Sequence, residues 1–302
     1  MDKPLVSVVV VTYNSSKYIL ETLDSIKSQT YNNLELIITD DCSSDNTVQL
    51  CEDWLNFNSS RFIRVKVISS SNNTGITPNR NRGCFEAKGE WIKQIDGDDR
   101  LKPFCIEDYI SYVVLNPTKN IVFSPLEPFG EGDLNKWKRL LKSNFKYAFS
   151  LSDKQFKILL CKLCLFPAPS AFIKKTFFEE VGGYDESIVF LEDWPFWVRT
   201  AFHGANFAYI ATPEVEYRIS SASLSQGVGG KNEKFFDAIK MTKSKNLYYM
   251  KKISIFYYME GLLSYKDEYS SSFLWKILAY LRPLNPYFWI ARRLYKKYFS
   301  FS

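Results

Sequence analysis

The stretch Trp91-Ile-Lys-Gln-Ile-Asp-Gly-Asp-Asp-Arg-Leu101 turns a short apolar segment into a cluster of three carboxylates. Its apolar half predicts a buried strand, and Gly97 permits a sharp turn between Asp96 and Asp98. Clustered carboxylates raise one another's pKa, so they are kept most easily where a cation compensates them. Oxygen-only ligands suit Mg²⁺ or Mn²⁺. A solvated Asp-Gly turn fits the stretch equally well, so the stretch alone leaves both interpretations open.

Upstream of this stretch, strands and helices alternate. Residues 5–12 are nearly continuously apolar and rich in β-branched side chains, as expected for a strand buried on both faces of a parallel sheet. The pattern predicts further strands at 34–39, 64–68 and 91–95 and helices at 18–29, from 48 to about 55, and from Pro78 onward. Ser15 and Ser16 are predicted to cap the first helix.

The predicted strands end in polar residues, namely Asn14, Asp41, the loop 72–82 and the cluster 96–99. The carboxyl ends of parallel strands meet at one edge of an open α/β sheet, where ligands bind. We therefore expect one cleft lined by all four. The chain has neither a Gly-x-Gly-x-x-Gly pattern nor a phosphate-loop lysine here, which argues against dinucleotide binding and phosphate-loop hydrolysis.

The second half of the chain contains another acidic stretch, Glu192-Asp-Trp-Pro195. Pro195 is tolerated in a first helical turn, so a helix is predicted from Glu192–Asp193 to about Gly204. Acidic residues at such a position are common without any function. Other predicted elements are helices at 106–115, 175–181 and, from the capping box of Ser152 and Gln155, to about 163; strands at 120–124 and 171–173; and a loop at 125–132.

Charge and composition are uneven along the chain. Its net charge is +6, whereas residues 231–302 carry 14 Lys/Arg against 5 Asp/Glu, a net +9. The first apolar segment is too short for a signal peptide, and no apolar run is long enough to span a bilayer, so a cytoplasmic location is expected. The six cysteines include one Cys-x-x-Cys pair, Cys161 and Cys164, with no second pair to complete a zinc site. Reduced core thiols are therefore predicted.

The basic tail predicts an amphipathic helix at 284–299. Aromatic and aliphatic residues repeat on one side of it, while Arg293, Lys296 and Lys297 fall largely on the other. Such a helix is typical of binding to the inner membrane surface, and packing on the rest of the chain or on a second subunit is the alternative. No nucleic-acid recognition motif accompanies the basic residues, so nucleic-acid binding is not expected. The oligomeric state is left open.

Six motifs occur in an order that is informative as a set. They are residues 9–14 (VVVTYN), 40–47 (DDCSSDNT), 75–83 (GITPNRNRG), 95–99 (IDGDD), 182–185 (GGYD) and 192–193 (ED). In this order and spacing, the chain resembles the family 2 inverting glycosyltransferases of the nucleotide-diphosphosugar transferase superfamily. The resemblance implies a GT-A type, Rossmann-like α/β fold: a mixed, mostly parallel sheet flanked by helices. It covers residues 5–225.

The resemblance also implies a domain division. Residues 1–230 would form the catalytic domain, with a nucleotide-sugar-binding half at 1–103 and an acceptor-side half at 104–230. Residues 231–302 would form a helical extension.

The resemblance implies roles for the nucleotide-binding residues. Thr12, Tyr13, Asn14 and Asp41 would surround the nucleobase, with Asp41 accepting the uracil imide hydrogen. Arg80 would approach the nucleotide or diphosphate.

The remaining implied roles concern the reaction itself. Asp96 would lie near the ribose, and Asp98 would contact an Mn²⁺ or Mg²⁺ ion, with Asp99 as an alternate ligand or supporting partner. Asp193 would be the general base, and Glu192 and Trp194 would lie at the acceptor or just behind the base.

Two departures from the family pattern affect these roles. Relatives often have Tyr-Arg-x-His after the last core strand, whereas this chain has Tyr217-Arg-Ile-Ser220. Arg218 then becomes the expected diphosphate contact, and the only histidine, His203, is predicted to be a surface or packing residue. The second departure is Asn79, which replaces a small residue.

The predicted function is metal-dependent, inverting transfer of a hexosyl or N-acetylhexosaminyl group from a UDP-sugar to a carbohydrate acceptor. The acceptor is expected to be a lipid-linked oligosaccharide intermediate of bacterial surface polysaccharide synthesis, such as O-antigen or capsule. Two alternatives stay open from the sequence. One is a nucleotidyltransferase that forms the nucleotide sugar, and the other is a non-catalytic nucleotide-sugar-binding partner in an assembly complex.

Overall fold

The structure, a computed structural model, describes residues 3–131, 134, 135, 138, 146–220 and 233–269. The strands are β1 (Val6–Thr12), β2 (Leu34–Asp40), β3 (Arg64–Ser69), β4 (Trp91–Asp96), β5 (Arg100–Leu101), β6 (Ile121–Phe123), β7 (Leu126–Gly130), β8 (Ala171–Lys174), β9 (Phe207–Tyr209) and β10 (Val215–Ile219). The helices are α1 (Ile19–Lys27), α2 (Thr47–Asn58), α3 (Ile76–Glu86), α4 (Cys105–Leu115), α5 (Asp153–Lys162), α6 (Lys175–Glu180), α7 (Asp193–Phe202), α8 (Glu233–Ile253) and α9 (Ile255–Tyr269).

A seven-stranded sheet in the order β3-β2-β1-β4-β8-β6-β9 forms the centre of the fold. The first four strands are parallel, β8 is antiparallel to both of its neighbours, and β9 is parallel to β6. The predicted mixed, mostly parallel α/β sheet is therefore confirmed. Thr12 pairs with Asp40 and Val11 with Asp96, so three strands end at the same edge.

Both faces of β1 are covered because its side chains alternate between two apolar cores. Val9 and Val11 face α3 and α7, whereas Val8 and Val10 face α1 and α4. All four are at most 6% exposed, and each fully buried valine stabilises the fold by about 1.5–3 kcal/mol. Helix α3 approaches closely through Gly83, where a Cβ atom would lie 2.6 Å from Cγ1 of Val9. This contact holds the helix that carries Arg80 against the sheet.

A second, three-stranded sheet in the order β5-β10-β7 was not anticipated. The loop predicted at 125–132 is wrong in part, because Leu126–Gly130 forms β7, parallel to β10. Its strand character comes from pairing with residues almost ninety positions away, so local composition could not reveal it. β5 follows the carboxylate cluster and pairs antiparallel with β10. The small sheet therefore brings the residues of β10 against that cluster.

Helix starts show where local sequence signals hold. Ser152 and Gln155 form the predicted capping box at the start of α5. The predicted serine cap of α1 is wrong: the helix begins at Ile19, and Ser15 contributes its carbonyl, which accepts the Ile19 N–H at 2.9 Å. The backbone N–H of Ser15 instead donates to the Thr47 hydroxyl, because the first residue of α2 lies beside it.

Helices α8 and α9 form a hairpin that packs on α5 and α7. Asn246 donates to the carbonyl of Cys161, Glu260 pairs with Lys162, and the rings of Phe202 and Tyr249 lie 4.9 Å apart. Among the described helices, none combines the length and apolarity needed to cross a bilayer. The predicted amphipathic helix at 284–299 and the predicted boundary at 230 lie outside the described residues. All six cysteines are free thiols. The prediction of core thiols at the Cys-x-x-Cys pair is confirmed for Cys161, which is buried, and is wrong for Cys164, which is exposed.

Candidate active site

Residues Asp96–Asp99, hereafter the aspartate turn, lie where β4 reaches the sheet edge. The Asp99 N–H donates to the Asp96 carbonyl at 3.1 Å, which closes the turn. Gly97 packs so tightly that a Cβ atom there would lie 2.9 Å from Oγ of Ser15. Asp98 is half-buried, whereas Asp99 is only 1% exposed. The turn therefore holds several carboxylates in a confined place.

The carboxylates of this turn are electrostatically strained. Burial first, and the neighbouring Asp96 next, raise the pKa of Asp98 to about 6. Burial, Asp98 and Asp96 raise the pKa of Asp99 well above its usual range. Oδ1 of Asp99 accepts the Arg218 N–H at 2.8 Å, while its buried Oδ2 has no hydrogen-bond partner in the described structure. An unsatisfied buried carboxylate oxygen beside two other carboxylates is a setting in which a cation would be stabilised.

The oxygen donors of the turn suit a hard divalent cation. The half-buried Asp98 is better exposed to a ligand than Asp99, which is turned inward onto the Arg218 backbone. Within the described residues, no three His, Cys, Asp or Glu side chains are arranged as a complete metal site. Mg²⁺ and Mn²⁺ commonly take water or phosphate oxygens in addition to one or two carboxylates, so the donor set still fits such an ion.

Arg218 lies beside the aspartate turn and supports it. Its Nε donates to the Asp98 carbonyl at 2.7 Å, and its Nη2 donates to Glu21 at 2.7 Å. The guanidinium lies 4.0 Å from the ring centroid of Tyr18 and 4.4 Å from that of Phe129, which fits cation–π contact on both faces. In this structure Arg218 therefore stabilises the turn, and its predicted contact with a diphosphate stays a prediction.

Asp41, which follows β2, is satisfied by the protein itself. Its two oxygens accept from the N–H of Thr74, from the Thr74 hydroxyl at 2.6 Å and from the N–H of Gly75 at 2.6 Å. Arg82 lies 3.6 Å away, and Asp41 is 2% exposed. The carboxylate predicted to accept a uracil imide hydrogen thus anchors the loop before α3.

Thr12, Tyr13 and Asn14 follow β1 toward the same edge. The Thr12 hydroxyl donates to Asp40 at 3.0 Å and is buried, whereas Tyr13 is 51% exposed. Asn14 adopts a positive φ of 49°, and its Oδ1 accepts the Ser44 N–H at 2.9 Å. Of these three residues, Tyr13 offers the open surface on which a base could stack.

Asn79 explains the departure from the family pattern at its position. Its Nδ2 donates to the carbonyls of Thr12 and Thr39, both at 3.1 Å, and its Oδ1 accepts from the Thr39 hydroxyl and from Arg82. A small residue could not make these bonds. Asn79 therefore ties α3 to the ends of β1 and β2.

Arg80 links the two acidic regions of the chain. It is 1% exposed, donates from Nη2 to Asp96 at 2.7 Å, and has its Nε 3.1 Å from Glu192. Burial alone would lower the pKa of Arg80, but the two carboxylates raise it, so the side chain stays charged. The Asp96 end of the aspartate turn and the start of α7 are thus held together through one guanidinium.

Asp193 is the first residue of α7, as predicted. Oδ1 accepts the Trp194 N–H at 2.6 Å, and Sγ of Cys164 lies 3.8 Å away. Burial and the adjacent Glu192 raise its pKa to about 7. Trp194 itself points inward, where its indole N–H bonds the Leu160 carbonyl. A carboxylate with a pKa near 7 is well matched to accepting a proton at neutral pH.

Tyr217 shows that the two acidic regions share one cleft. Burial, followed by Asp99, Asp96, Asp98 and Asp193, raises the pKa of its phenol well above the usual range. The Tyr217 phenol therefore lies near both the aspartate turn and Asp193. The sequence motif at 217–220 contains this tyrosine, but only the pairing of β10 with β5 brings it to the cleft.

A cavity of about 470 Å³ lies next to the loop that Asp41 anchors. Its lining includes Thr74, Gly75, Phe190, Lys234, Asp237 and Met241. Phe190 adopts a positive φ of 67°, a conformation that costs a non-glycine residue on the order of 1 kcal/mol or more. The cavity thus lies between the loop before α3, the segment before Asp193 and the start of α8.

Comparison with known proteins places these features in a family. The sequence model described as "Glycosyl transferase family 2" matches residues 7–182. An uncharacterized glycosyltransferase of Haemophilus influenzae is 30% identical over 262 residues, which cover 83% of this chain and 76% of that protein. The chain belongs to glycosyl transferase family 2.

Two further proteins resemble this family 2 glycosyltransferase. The putative teichuronic acid biosynthesis glycosyltransferase TuaG of Bacillus subtilis is 31% identical over 112 residues, covering 37% of this chain and 43% of TuaG. The crystal structure of S. aureus TarS 1-349 in complex with UDP-GlcNAc matches with a TM-score of 0.63 at 18% identity, covering 89% of this chain and 76% of that one. Against the longer TarS chain, the match covers 44% of its length. At this identity, the TarS likeness supports the GT-A type fold alone.

The predicted site residues of this glycosyltransferase fall into different structural settings. Asp98, Asp99 and Asp193 all lie near Tyr217, whereas Asp41 accepts from the backbone N–H groups of Thr74 and Gly75. His203 is a surface residue beside Phe177 and Glu180, as predicted. Glu192 is buried and its carboxylate faces Arg80.

Proposed function

We propose that this family 2 glycosyltransferase transfers a hexosyl or N-acetylhexosaminyl group from a UDP-sugar to a carbohydrate acceptor with inversion at the anomeric carbon. One observation carries this proposal: Arg80 joins Asp96 of the aspartate turn to Glu192, which supports a site in which Asp193 and Asp98 face one bound sugar from opposite sides. A transferase needs this pairing, because one side must hold the nucleoside diphosphate while the other removes a proton from the acceptor.

Asp193 acts as the general base in this proposal. The acceptor hydroxyl attacks the anomeric carbon, its proton passes to Asp193, and the bond from that carbon to the diphosphate oxygen breaks to release UDP. Oδ1 of Asp193 already accepts the Trp194 N–H, so Oδ2 is the atom proposed to take the proton. The raised pKa of about 7 makes the carboxylate a stronger base than an ordinary aspartate.

Asp98 is proposed to bind the cation, and Asp99 is proposed to support the turn that positions Asp98. Asp98 is the half-buried member of the pair, whereas Asp99 is turned onto the Arg218 backbone. When bound, Mn²⁺ or Mg²⁺ supplies charge stabilisation for the departing diphosphate. Arg218 keeps the Asp98 carbonyl in place through Nε and thereby orients the turn.

Tyr13 and Asn14 are proposed to lie beside the uracil ring, with Thr12 supporting Asp40 from beneath. Tyr13 is 51% exposed at the sheet edge, so its ring has a free surface for stacking. The S. aureus TarS structures with UDP and UDP-GlcNAc support the choice of a uridine nucleotide.

The acceptor is proposed to be a lipid-linked intermediate of bacterial surface polysaccharide synthesis, with the enzyme working at the inner surface of the cytoplasmic membrane. The likeness to TuaG, which is named for teichuronic acid biosynthesis, supports the polysaccharide part. The net +9 of residues 231–302 supports contact with an anionic membrane surface.

Titration calorimetry with a panel of nucleotide sugars, with and without Mn²⁺ or Mg²⁺, tests the donor proposal. UDP-GlcNAc or another UDP-sugar is expected to bind only with the ion, and to release UDP slowly by hydrolysis. Asp98→Asn should abolish the ion-dependent part, whereas the exposed Asp53→Asn should not. Release of pyrophosphate from UTP and a sugar phosphate would instead identify a nucleotidyltransferase. Failure of every UDP-sugar to bind would contradict the proposal.

A further inference from the structure

The turn between α8 and α9 has a surface that differs from the rest of the described chain. Residues 248–259, here called the hairpin tip, read YYMKKISIFYYM and contain five aromatic residues, two lysines and no acidic residue. Tyr248 is 60%, Ile255 is 54% and Met259 is 45% exposed. Large apolar side chains grouped on a surface in this way mark a site of interaction.

The tip is held rigidly from behind. Met250 faces the core and is 3% exposed, and a Cβ atom added at Gly261 would lie 2.7 Å from the Met250 side chain, so the two helices touch here. Asn246 bonds the Cys161 carbonyl one turn earlier in α8, and Tyr249 packs on Phe202. The outward residues of the tip are therefore presented by an anchored scaffold.

The two lysines lie among the aromatic rings. Nζ of Lys252 is 4.6 Å from the Tyr248 ring centroid, and Nζ of Lys251 is 6.0 Å from that of Tyr258. Both lysines are exposed. Aromatic rings with a polar edge, aliphatic side chains and lysines whose charge reaches outward make up the composition favoured at a bilayer interface.

We infer that the hairpin tip docks on an anionic bilayer surface, with Tyr248, Ile255 and Met259 entering the headgroup region and Lys251 and Lys252 contacting lipid phosphates. Charge selects this occupant. A two-fold contact between identical tips would bring like-charged lysines together, whereas an anionic surface neutralises them.

This inference specifies which surface makes the membrane contact of the proposed function. It rests on the proposed function only in taking the acceptor to be lipid-linked. The other end of α8 carries Lys234, Asp237 and Met241, which line the cavity beside the loop before α3. At 1.5 Å per residue, about 16 Å of helix separates Asp237 from Tyr248, where the tip begins. One rigid helix thus joins the docking surface to the edge of the catalytic cleft.

Cosedimentation of the full chain with vesicles tests the inference. The protein is expected to bind vesicles of phosphatidylcholine and phosphatidylglycerol, and to bind pure phosphatidylcholine much more weakly. The double variant Lys251→Gln/Lys252→Gln should lower the partition coefficient about 25-fold, at about fivefold for each lysine. The single variant Ile255→Ser should also lower the partition coefficient, and its effect should persist at high salt, where the apolar contribution to binding dominates.

The matched control is Lys66→Gln/Lys88→Gln, which removes the same charge from exposed lysines of the nucleotide-binding half. It should leave the partition coefficient within about twofold of the wild type, because the field of a surface charge falls off within a Debye length. UDP-GlcNAc binding and the circular dichroism melting curve of each variant confirm that it is folded.

Four results would overturn the inference: no vesicle binding by the wild type, equal binding to both lipid mixtures, wild-type binding by the tip variant, or equal loss in the control. The third result would assign membrane contact to residues 270–302. A change of oligomeric state in Ile255→Ser without a change in vesicle binding would identify the tip as a contact between copies. If the wild type binds vesicles but no UDP-sugar, the transferase proposal is contradicted and the membrane inference stands.

Discussion

The ends of β2 and β4 lie at the same sheet edge, but the carboxylates that follow them differ in how far the protein satisfies their hydrogen bonding. Asp41 accepts from two backbone N–H groups and a hydroxyl, so the protein itself satisfies its charge. Asp98 and Asp99 repel each other, and the buried Oδ2 of Asp99 has no partner in the described structure. The number of carboxylates at a strand end therefore does not identify a ligand site. Hydrogen-bond donors supplied by the protein distinguish a carboxylate that anchors a loop from one that is left without a partner.

Asp193 extends the comparison to a third carboxylate, and its removal should have the largest effect. Asp193→Asn is expected to slow transfer, or slow UDP release from the donor, by about 10²–10⁴-fold because the general base is lost. Donor affinity should stay within about twofold, since the proposed role of Asp193 is toward the acceptor hydroxyl and not toward the donor. Steady-state kinetics and titration calorimetry measure the two quantities. Asp153→Asn, at an exposed site on α5, is the control, and retained turnover in Asp193→Asn would remove the base assignment.

Asp41→Asn tests the anchor side of the comparison. The amide would turn an N–H group toward the N–H of Thr74 or Gly75, so the free energy of unfolding is expected to fall by about 2–3 kcal/mol. Urea denaturation monitored by circular dichroism measures it, with the exposed Asp53→Asn expected within about 0.5 kcal/mol of the wild type. Unchanged stability together with weaker UDP binding would show that Asp41 contacts the base, and the comparison would then fail.

The pH dependence of the rate tests whether Asp193 is the titrating group. Because its pKa is raised to about 7, the base is protonated at lower pH, and kcat/KM should fall about tenfold for each unit below 7. Above pH 8 the rate should be level. A stopped assay of UDP release from pH 5 to 9 gives the profile. A rate that stays constant down to pH 5 would exclude a base with this pKa.

Asp98→Asn should produce the smallest change in the free energy of unfolding, with the opposite sign to that of Asp41→Asn. An aspartate whose pKa is raised to about 6 on folding stabilises the folded state while protonated, below its unfolded value near 4, and loses that contribution as the pH rises through 6. The neutral amide keeps it, so the ion-free variant should be more stable than the wild type by about 1 kcal/mol at pH 8. The gain should vanish by pH 4. Urea denaturation in EDTA at both pH values checks this, and lower stability at pH 8 would contradict the strained turn.

Much of the fold followed from local patterns. The apolar runs of β1, β2 and β4, the capping box at Ser152 and the start of α7 at Asp193 all depend on residues within a few positions of one another. The predicted serine cap before α1 was wrong because the backbone N–H groups of Ser15 and Ser16 donate to Thr47 and Asp45 at the start of α2, which local sequence does not reveal. Strand β7 was missed because its partner, β10, lies far along the chain.

The candidate site was only partly predictable for the same reason. The motifs placed Asp98, Asp99 and Asp193 correctly at a strand end and a helix start. They did not indicate that Arg80 is buried between Asp96 and Glu192, or that Tyr217 lies in the cleft. Both depend on side chains from separate elements meeting in a confined space.

The amino-acid sequence by itself determined that this protein has a mostly parallel α/β sheet and that carboxylates gather at the sheet's carboxyl edge. Periodicity and turn chemistry encode those properties in neighbouring residues. Only the tertiary structure decided which carboxylates are satisfied. The N–H of Thr74 reaches Asp41 and the N–H of Arg218 reaches Asp99 across long stretches of chain, and the second contact leaves Oδ2 of Asp99 buried without a partner in the described structure. Desolvation and charge depend on distances in space, which local sequence patterns do not encode.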